Sequence, residues 1–205
     1  MNRKTTLAII ALLLLLAMPK RASAQLRFIP QAGLYAPVSD LGEVDTGSEI
    51  WELGKRESSL AYGLGIELGG EGVASLRLGA VYGSESEVPI DGVGCTGAAC
   101  TLRSTVLTGT AALIVRPIPG LAVVKPYLVL GGGLKRYDFD FQNEGFGDLF
   151  GDESEATGRL GLGLGFDLGA AGIRLEVSDY FNGAVFSNGD TQHDFIVTLG
   201  LSIGG

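Results

Sequence analysis

The sequence predicts an all-β fold, an eight-stranded antiparallel up-and-down β-barrel, and three observations lead to it. Apolar residues alternate with glycine or polar residues in segment after segment, which is the period of a β-strand. The links between these segments are short and long in turn, as in a meander of hairpins. Hydrophobic residues make up 46% of the chain and glycine counts 33, yet no segment after residue 24 has the length and apolarity of a membrane helix.

The first 24 residues predict a secretory signal peptide. Two basic residues precede an apolar run, 7–18, and the small residues of Ala22-Ser23-Ala24 follow it. The run is short for a spanning helix, which needs about 20 residues. We therefore expect export, cleavage after Ala24, and a mature domain that spans residues 25–205.

The expected mature domain is acidic. Its 23 Asp and Glu residues oppose 11 Lys and Arg residues once the four basic residues of the signal peptide are removed, a net charge of −12. Nucleic-acid binding depends on basic surfaces that neutralise phosphates, so we expect no nucleic-acid partner. The length suits one domain with a sizeable core.

Eight segments have the strand period. They are 26–36, 60–68, 75–82, 102–115, 124–136, 159–168, 173–178 and 194–203. Gly161, Gly163 and Gly165 of "GRLGLGLGFDLG" lie inside one of them, all on one face, with leucines on the other. A phosphate-binding glycine loop would need a strand before its glycines and a helix after them, so this run is predicted to be barrel wall.

The links alternate in length along the whole chain. The short ones are 69–72, 116–123 and 169–172, and the long ones are 37–58, 83–100, 137–157 and 182–191. Gly and Pro in the short links favour tight turns. Both ends of the mature domain therefore fall at the short-turn end of the barrel.

Three features favour leucines that face lipid over leucines that face a soluble core. Charges on the glycine face are sparse and of mixed sign, whereas a soluble surface is denser in charge. Strands of about ten residues fit a tilted bilayer span. Aromatic residues on the leucine face lie near strand ends, as in interfacial girdles. Phe28 and Phe166 lie toward the short turns, and Tyr62, Tyr82 and Phe195 toward the long loops. A transmembrane barrel with short periplasmic turns and long outer loops is predicted; a soluble secreted or periplasmic barrel is the alternative.

On these features the mature chain resembles the small outer-membrane β-barrels of the OmpA transmembrane-domain and OmpX type. The closing segments "RLEVSDY" (174–180) and "HDFIVTLGLSI" (193–203) carry the resemblance together with the eight strands and the alternating links. It implies a monomer in the outer membrane of a diderm bacterium, in contact with membrane lipid and lipopolysaccharide and inserted by the barrel-assembly machinery. It implies no cofactor, and it is specific for architecture and weak for activity.

The inner face of the predicted barrel carries ionisable residues. They are Arg27, Glu67, Arg77, Arg103, Lys125, Asp167, Arg174 and Glu176. Eight strands enclose an interior that side chains just fill, so these charges must pair there. We expect Glu67 to pair with Arg77, and Arg174 to pair with Asp167 or Glu176. A polar plug is favoured over a gate or a narrow ion path.

Two long links carry further candidate features. Cys95 and Cys100 predict a disulfide at a loop tip, because an exported protein meets an oxidising compartment. Within the link 137–157, residues 138–155 hold seven acidic residues and no Lys or Arg. Their spacing does not match a calcium loop, so a solvated loop without a metal is expected. Four interleaved phenylalanines, at 139, 141, 146 and 150, would fold over the mouth or form a recognition patch.

The expected function is structural or interactive, with long acidic outer loops presented by a rigid scaffold. A narrow channel for small solutes is the alternative, and a lipid-modifying enzyme is a weaker one. The only histidine, His193, has no nucleophile motif beside it, and its neighbour Asp194 points to the opposite face of the strand. We therefore expect no enzymatic activity.

Overall fold

Ten antiparallel strands form the computed structural model. It describes residues 25–45, 50–69, 72–91, 101–118, 123–141, 152–168, 171–185 and 191–204. The strands are β1 Leu26–Pro37, β2 Gly42–Asp45, β3 Ile50–Leu53, β4 Ser59–Leu68, β5 Ala74–Asp91, β6 Thr101–Val115, β7 Val124–Phe141, β8 Glu153–Asp167, β9 Ala171–Asn182 and β10 Gln192–Ile203. Over these ranges no helix has the length and apolar character that a membrane crossing requires.

Eight of the strands close into a barrel. Strand β1 pairs with β4 on one side and with β10 on the other, and each remaining barrel strand pairs with its sequence neighbours. Every pairing is antiparallel, and each of these eight strands is paired on both sides, so the described barrel closes without an open sheet edge. The predicted eight-stranded up-and-down barrel is confirmed.

The other two strands form a hairpin that the sequence did not predict. Strands β2 and β3 pair with each other inside the link between β1 and β4. The hairpin pairs with the C-terminal end of β5, on the side of the long loops, where Glu52 lies opposite Asp91 and Leu53 opposite Ile90. The first long link is therefore partly a sheet at the long-loop end.

Three strands run further than the sequence predicted. The predicted links 83–100 and 137–157 were wrong over 83–91, 137–141 and 153–157, which are strand. A register shift between Gly83 and Ser86 lets β5 continue beyond the point where its apolar alternation ends. Above that point the outward positions carry charge, as at Glu85 and Glu87, so the polar sequence resembles a loop.

The two faces of each strand differ as predicted. Along β8 the leucines are exposed, with Leu162 at 65%, whereas Arg159 on the opposite face is 4% exposed. Glycine on the inner face of β8 makes room for a neighbour. A Cβ at Gly163 would lie 2.1 Å from Cζ of Tyr127, which reaches across from β7. The glycine run is the inner wall of the barrel beside a large aromatic ring.

Candidate functional site: the barrel lumen and its outer mouth

Glu67 is the centre of an ion-pair cluster in the half of the lumen near the short turns. It points inward from β4 and is fully buried. Arg77 Nη2 on the adjacent strand and Arg174 Nη1 from across the lumen each lie 3.0 Å from Glu67 Oε2. Arg116 and Ser75 donate to the other carboxylate oxygen, Oε1. One acid thus binds three guanidinium groups.

Glu176 on β9 forms a second centre. Arg77 Nη1 lies 2.6 Å from Glu176 Oε2, so this arginine bridges the two acids. Arg159 pairs with the other oxygen of Glu176. The Tyr127 hydroxyl donates to Glu176 Oε2 over 3.1 Å, and the Ser178 hydroxyl donates to Oε1 over 2.8 Å. Side chains from four strands are tied together across the lumen.

The structure places the predicted lumenal residues as follows. Glu67, Arg77, Arg174 and Glu176 lie in one network. Arg174 pairs with Glu67, so the prediction that it pairs with Asp167 or Glu176 was wrong. Asp167 instead lies 2.6 Å from Lys125, near the short-turn mouth. Arg27 is buried on the inner face, opposite Glu67 in the ladder between β1 and β4.

The prediction for Arg103 was wrong. Leu102 and Ser104 point inward from β6, and strand alternation therefore turns Arg103 outward. Its guanidinium lies 3.1 Å from Glu85 Oε1 on the outer face of β5. The segment was difficult to orient because small and apolar residues occur on both faces of β6.

The network has two further members that the sequence did not predict. Arg159 lies on the glycine face, where alternation had already placed it, although it was left out of the network. Arg116 follows β6 and was assigned to a turn, but its side chain reaches back to Glu67. Alternation could have identified Arg159, and nothing local in the sequence identifies Arg116.

A second polar cluster lies nearer the long loops, around Asp194. Tyr35 donates to Asp194 Oδ2 over 2.7 Å, and Lys135 Nζ lies 2.6 Å from the same oxygen. Lys135 also donates to Asn182 Oδ1 over 2.7 Å. The Tyr137 hydroxyl donates to both of these acceptors at longer range. Asp194 is therefore an inward structural acid.

An apolar cap closes the lumen above this cluster. The hairpin and its flanks contribute Leu41, Trp51 and Leu53, all buried. These side chains pack with inward residues of the barrel wall. The wall residues are Tyr35, Ala61, Val81, Val88, Ile90, Leu102, Val106, Tyr137, Tyr180 and Ile196, with Val185 from the segment after β9. The hairpin thus packs onto inward residues at the long-loop end of the described barrel.

The chain's single tryptophan provides a direct test of this cap. We expect the emission of Trp51 to be blue-shifted and weakly quenched by acrylamide, because its ring is buried under the hairpin. Unfolding in denaturant should raise the quenching constant several-fold. A Trp51 that is quenched equally in the folded and unfolded protein would contradict a closed cap.

The predicted girdle residues lie on the outer face. Phe28, Tyr62, Tyr82 and Phe195 are exposed, and Phe166 is half-buried. Tyr62 lies directly opposite Tyr82 in the ladder between β4 and β5. Phe181 is a further exposed aromatic residue near the long loops, which the sequence analysis did not include.

His193 lies on the outer face near the long loops. Its Nδ1 is 2.9 Å from Asp179 Oδ2, and its ring lies 6.2 Å from that of Phe181. The acid partner therefore comes from β9, and the adjacent Asp194 points into the lumen. This arrangement is a partly exposed contact between a histidine and a carboxylate beside one aromatic ring.

The outer rim is acidic within the described ranges. Exposed acids project from the hairpin and from the upper ends of the barrel strands. They are Asp45, Glu52, Glu57, Glu85, Glu87, Asp140 and Asp152. Arg136 pairs with Asp138, 3.0 Å away, and with Asp152, and the hydrogen bond to Asp138 is the main cause that raises the pKa of the Arg136 guanidinium. Phe139 stacks on Tyr137 with ring centroids 6.0 Å apart.

Several predictions fall outside the described residues. These are cleavage at Ala24, the disulfide between Cys95 and Cys100, and the part of the acidic link that holds Glu144, Phe146, Asp148 and Phe150. The part of the chain that is described contains no group of three or more metal-ligating side chains.

Comparison with known proteins gives structural matches only. No family model and no curated protein sequence matches the chain. The model aligns with Neisserial surface protein A at a TM-score of 0.60 and 10% identity, covering 87% of this chain and 96% of that one. OprG from Pseudomonas aeruginosa aligns at 0.49 and 14%, covering 87% and 95%. Ail of Yersinia pestis aligns at 0.48 and 14%, covering 89% and 99%. Closed, antiparallel and eight-stranded, this chain has the fold of the small outer-membrane β-barrels.

Proposed function

We propose that this protein is an outer-membrane β-barrel whose lumen is closed and whose acidic outer mouth carries a structural or surface-interaction role. The observation that carries the proposal is the filled interior. Ion pairs around Glu67 and Glu176 occupy one half, and the apolar cap around Trp51 occupies the other. A scaffold of this kind presents its loops to the surroundings.

An outer-membrane location is supported by the outer face of the barrel. Exposed leucines follow each other along adjacent strands, for example Leu160, Leu162 and Leu164 on β8 and Leu175 on β9. An apolar surface of this extent suits lipid and would promote aggregation in water. Contact with lipopolysaccharide at the outer leaflet belongs to the same proposal.

Planar-bilayer recording tests the closed lumen. We expect purified protein to insert without steady large openings, because ion pairs and buried apolar side chains bridge the lumen at several levels. Steady openings of uniform size would overturn the proposal and favour the alternative, a narrow channel. An eight-stranded barrel without its plug would still be narrow, so the recording must resolve small currents.

The acidic rim gives the interaction role a testable chemistry. Glu52, Glu57 and Glu87 are exposed on one wall, where the backbone N–H of Glu57 donates to the carbonyl of Glu87 over 2.9 Å. We expect proteoliposomes to bind a fluorescent decalysine peptide in a salt-sensitive manner, since exposed charges are screened within about 10 Å at 0.1 M salt. The measurement is the fluorescence of the peptide that floats with the proteoliposomes in a density gradient.

The matched variant replaces all three residues with glutamine (E52Q, E57Q and E87Q). It should lose most of the peptide binding and leave the barrel folded by heat-modifiable gel migration. A decaglutamate peptide is the control and should not bind. Equal binding by the variant and the wild-type protein would contradict an interaction through this wall. The expectation that the chain is not an enzyme stays a prediction.

A further inference from the structure

Arg56 places a guanidinium in the outer half of the lumen, where no acid of the described ranges pairs with it. Backbone hydrogen bonds of 2.9 Å from Gly54 to Pro89 and from Glu57 to Glu87 hold its segment along β5. The side chain is 1% exposed. Its Nη2 donates to the carbonyl of Ser104 over 2.9 Å, and its Cζ lies 5.1 Å from the centre of the Tyr35 ring.

The rest of this guanidinium is unused. Arg56 Nε and Nη1 are buried and have no hydrogen-bond partner within the described ranges. The hydroxyl of Ser86 is also buried and without a partner there. Ser86 lies directly opposite Ser104, whose carbonyl binds Arg56, in the ladder between β5 and β6. The unpaired donors of Arg56, from the segment before β4, and of Ser86, on β5, therefore both lie beside Ser104.

The charges around Arg56 do not balance. Arg56 and Lys135 are close enough to repel each other, and the inward acid of this region, Asp194, is already bound by Lys135 and Tyr35. The charge of Asp179 also reaches Lys135, but its carboxylate contacts His193 on the outer face. A buried charge without compensation costs several kcal/mol. One negative charge near Arg56 would restore the balance.

Basic side chains also outnumber acidic ones along the whole described lumen. Among the described residues, eight basic side chains line it against four acids. The basic ones are Arg27, Arg56, Arg77, Arg116, Lys125, Lys135, Arg159 and Arg174, and the acids are Glu67, Asp167, Glu176 and Asp194. The exposed charged residues of the described ranges are mostly acidic, so the cations there are concentrated inside.

We propose that the outer half of the lumen binds a small monovalent anion of the chloride class, held by Arg56 Nε and Nη1 and by the Ser86 hydroxyl. A single charge matches the local excess of one cation over the acids. Val88 and Leu102, one inward pair further along the ladder from Ser86 and Ser104, place apolar side chains beside the site, which favours a small anion with a weak demand for donors. The anion joins the segment after the hairpin to the barrel wall.

Thermal unfolding at constant ionic strength tests the site. The intact protein in detergent is heated in sodium chloride or in sodium gluconate, whose anion is much larger than chloride, and unfolding is followed by gel migration. A ligand present at ten times its dissociation constant shifts the folding equilibrium about tenfold. We expect the folding equilibrium to shift about tenfold toward the folded protein in chloride, relative to gluconate. A wild-type protein that unfolds identically in both salts would overturn the proposal.

Variants assign the effect to Arg56. Arg56→Gln should abolish the preference for chloride, and Ser86→Ala should weaken it while keeping the charge. Arg136→Gln, which removes an exposed guanidinium at the same end of the barrel, should keep the full preference. Chloride dependence that survives Arg56→Gln would overturn the assignment.

Bromide provides a readout that does not depend on a variant folding. Crystals of the wild-type protein grown in sodium bromide should show an anomalous peak beside the Arg56 guanidinium. Absence of a peak there, at a bromide concentration that protects the protein from heat, would overturn the site.

Discussion

Replacing Glu67 with glutamine is expected to destabilise the barrel by about 3–5 kcal/mol, the usual effect of removing one partner from a buried ion pair. Glutamine keeps the volume and removes the charge that binds Arg77, Arg116 and Arg174. Three guanidinium groups would then remain buried around a neutral side chain. The free energy of unfolding, measured by urea titration in lipid vesicles, checks the prediction.

Two further variants separate charge pairing from general damage. Glu85→Gln removes an acid from the exposed pair with Arg103 and should cost less than about 1 kcal/mol, as exposed pairs do. Adding Arg174→Met to Glu67→Gln removes one of the stranded cations and should recover part of the lost stability. If Glu67→Gln cost no more than Glu85→Gln, the network would contribute little to stability.

Replacing Leu162 with arginine is expected to cost about 2–4 kcal/mol if this face meets lipid, the range for a basic residue near the bilayer midplane. Leu162 lies in the middle of the exposed leucines of β8, and its side chain is among the most exposed in the barrel. The same substitution on the surface of a soluble barrel would change stability by about 0.5 kcal/mol or less. Urea unfolding in vesicles again measures the change.

The control for this variant is Leu168→Arg. Leu168 is as exposed as Leu162 but follows the end of β8, near a short turn. A basic residue near the interface costs about 0–1 kcal/mol, so the two variants should differ. Equal small effects at both depths would contradict a lipid-facing wall and favour the soluble alternative.

Strand alternation was sufficient to predict the barrel and the orientation of most side chains. Its signal is local, since each residue shares a face with the residue two positions away. It failed at Arg103 because β6 has small residues on both faces. It also failed for the hairpin, because β2 and β3 are only four residues long and owe their order to packing against β5.

The partners of the lumenal charges could not be predicted in the same way. Alternation places Arg174 and Glu67 on the inner face, but the two residues are 107 positions apart and meet across the lumen. Which cation reaches which acid depends on strand tilt and on the space that Tyr127 occupies. Arg56 shows the same limit, because its burial depends on a hairpin that local sequence does not indicate.

The pairing of β1 with β10 has a consequence for how the chain enters a membrane. Phe28 lies opposite Ile203, so the last ladder joins the two ends of the domain. Until it forms, the backbone N–H and C=O groups along two strand edges have no partner, and lipid offers none. We therefore expect insertion and closure to be a single cooperative event, in which an intermediate missing either terminal strand stays at the membrane surface.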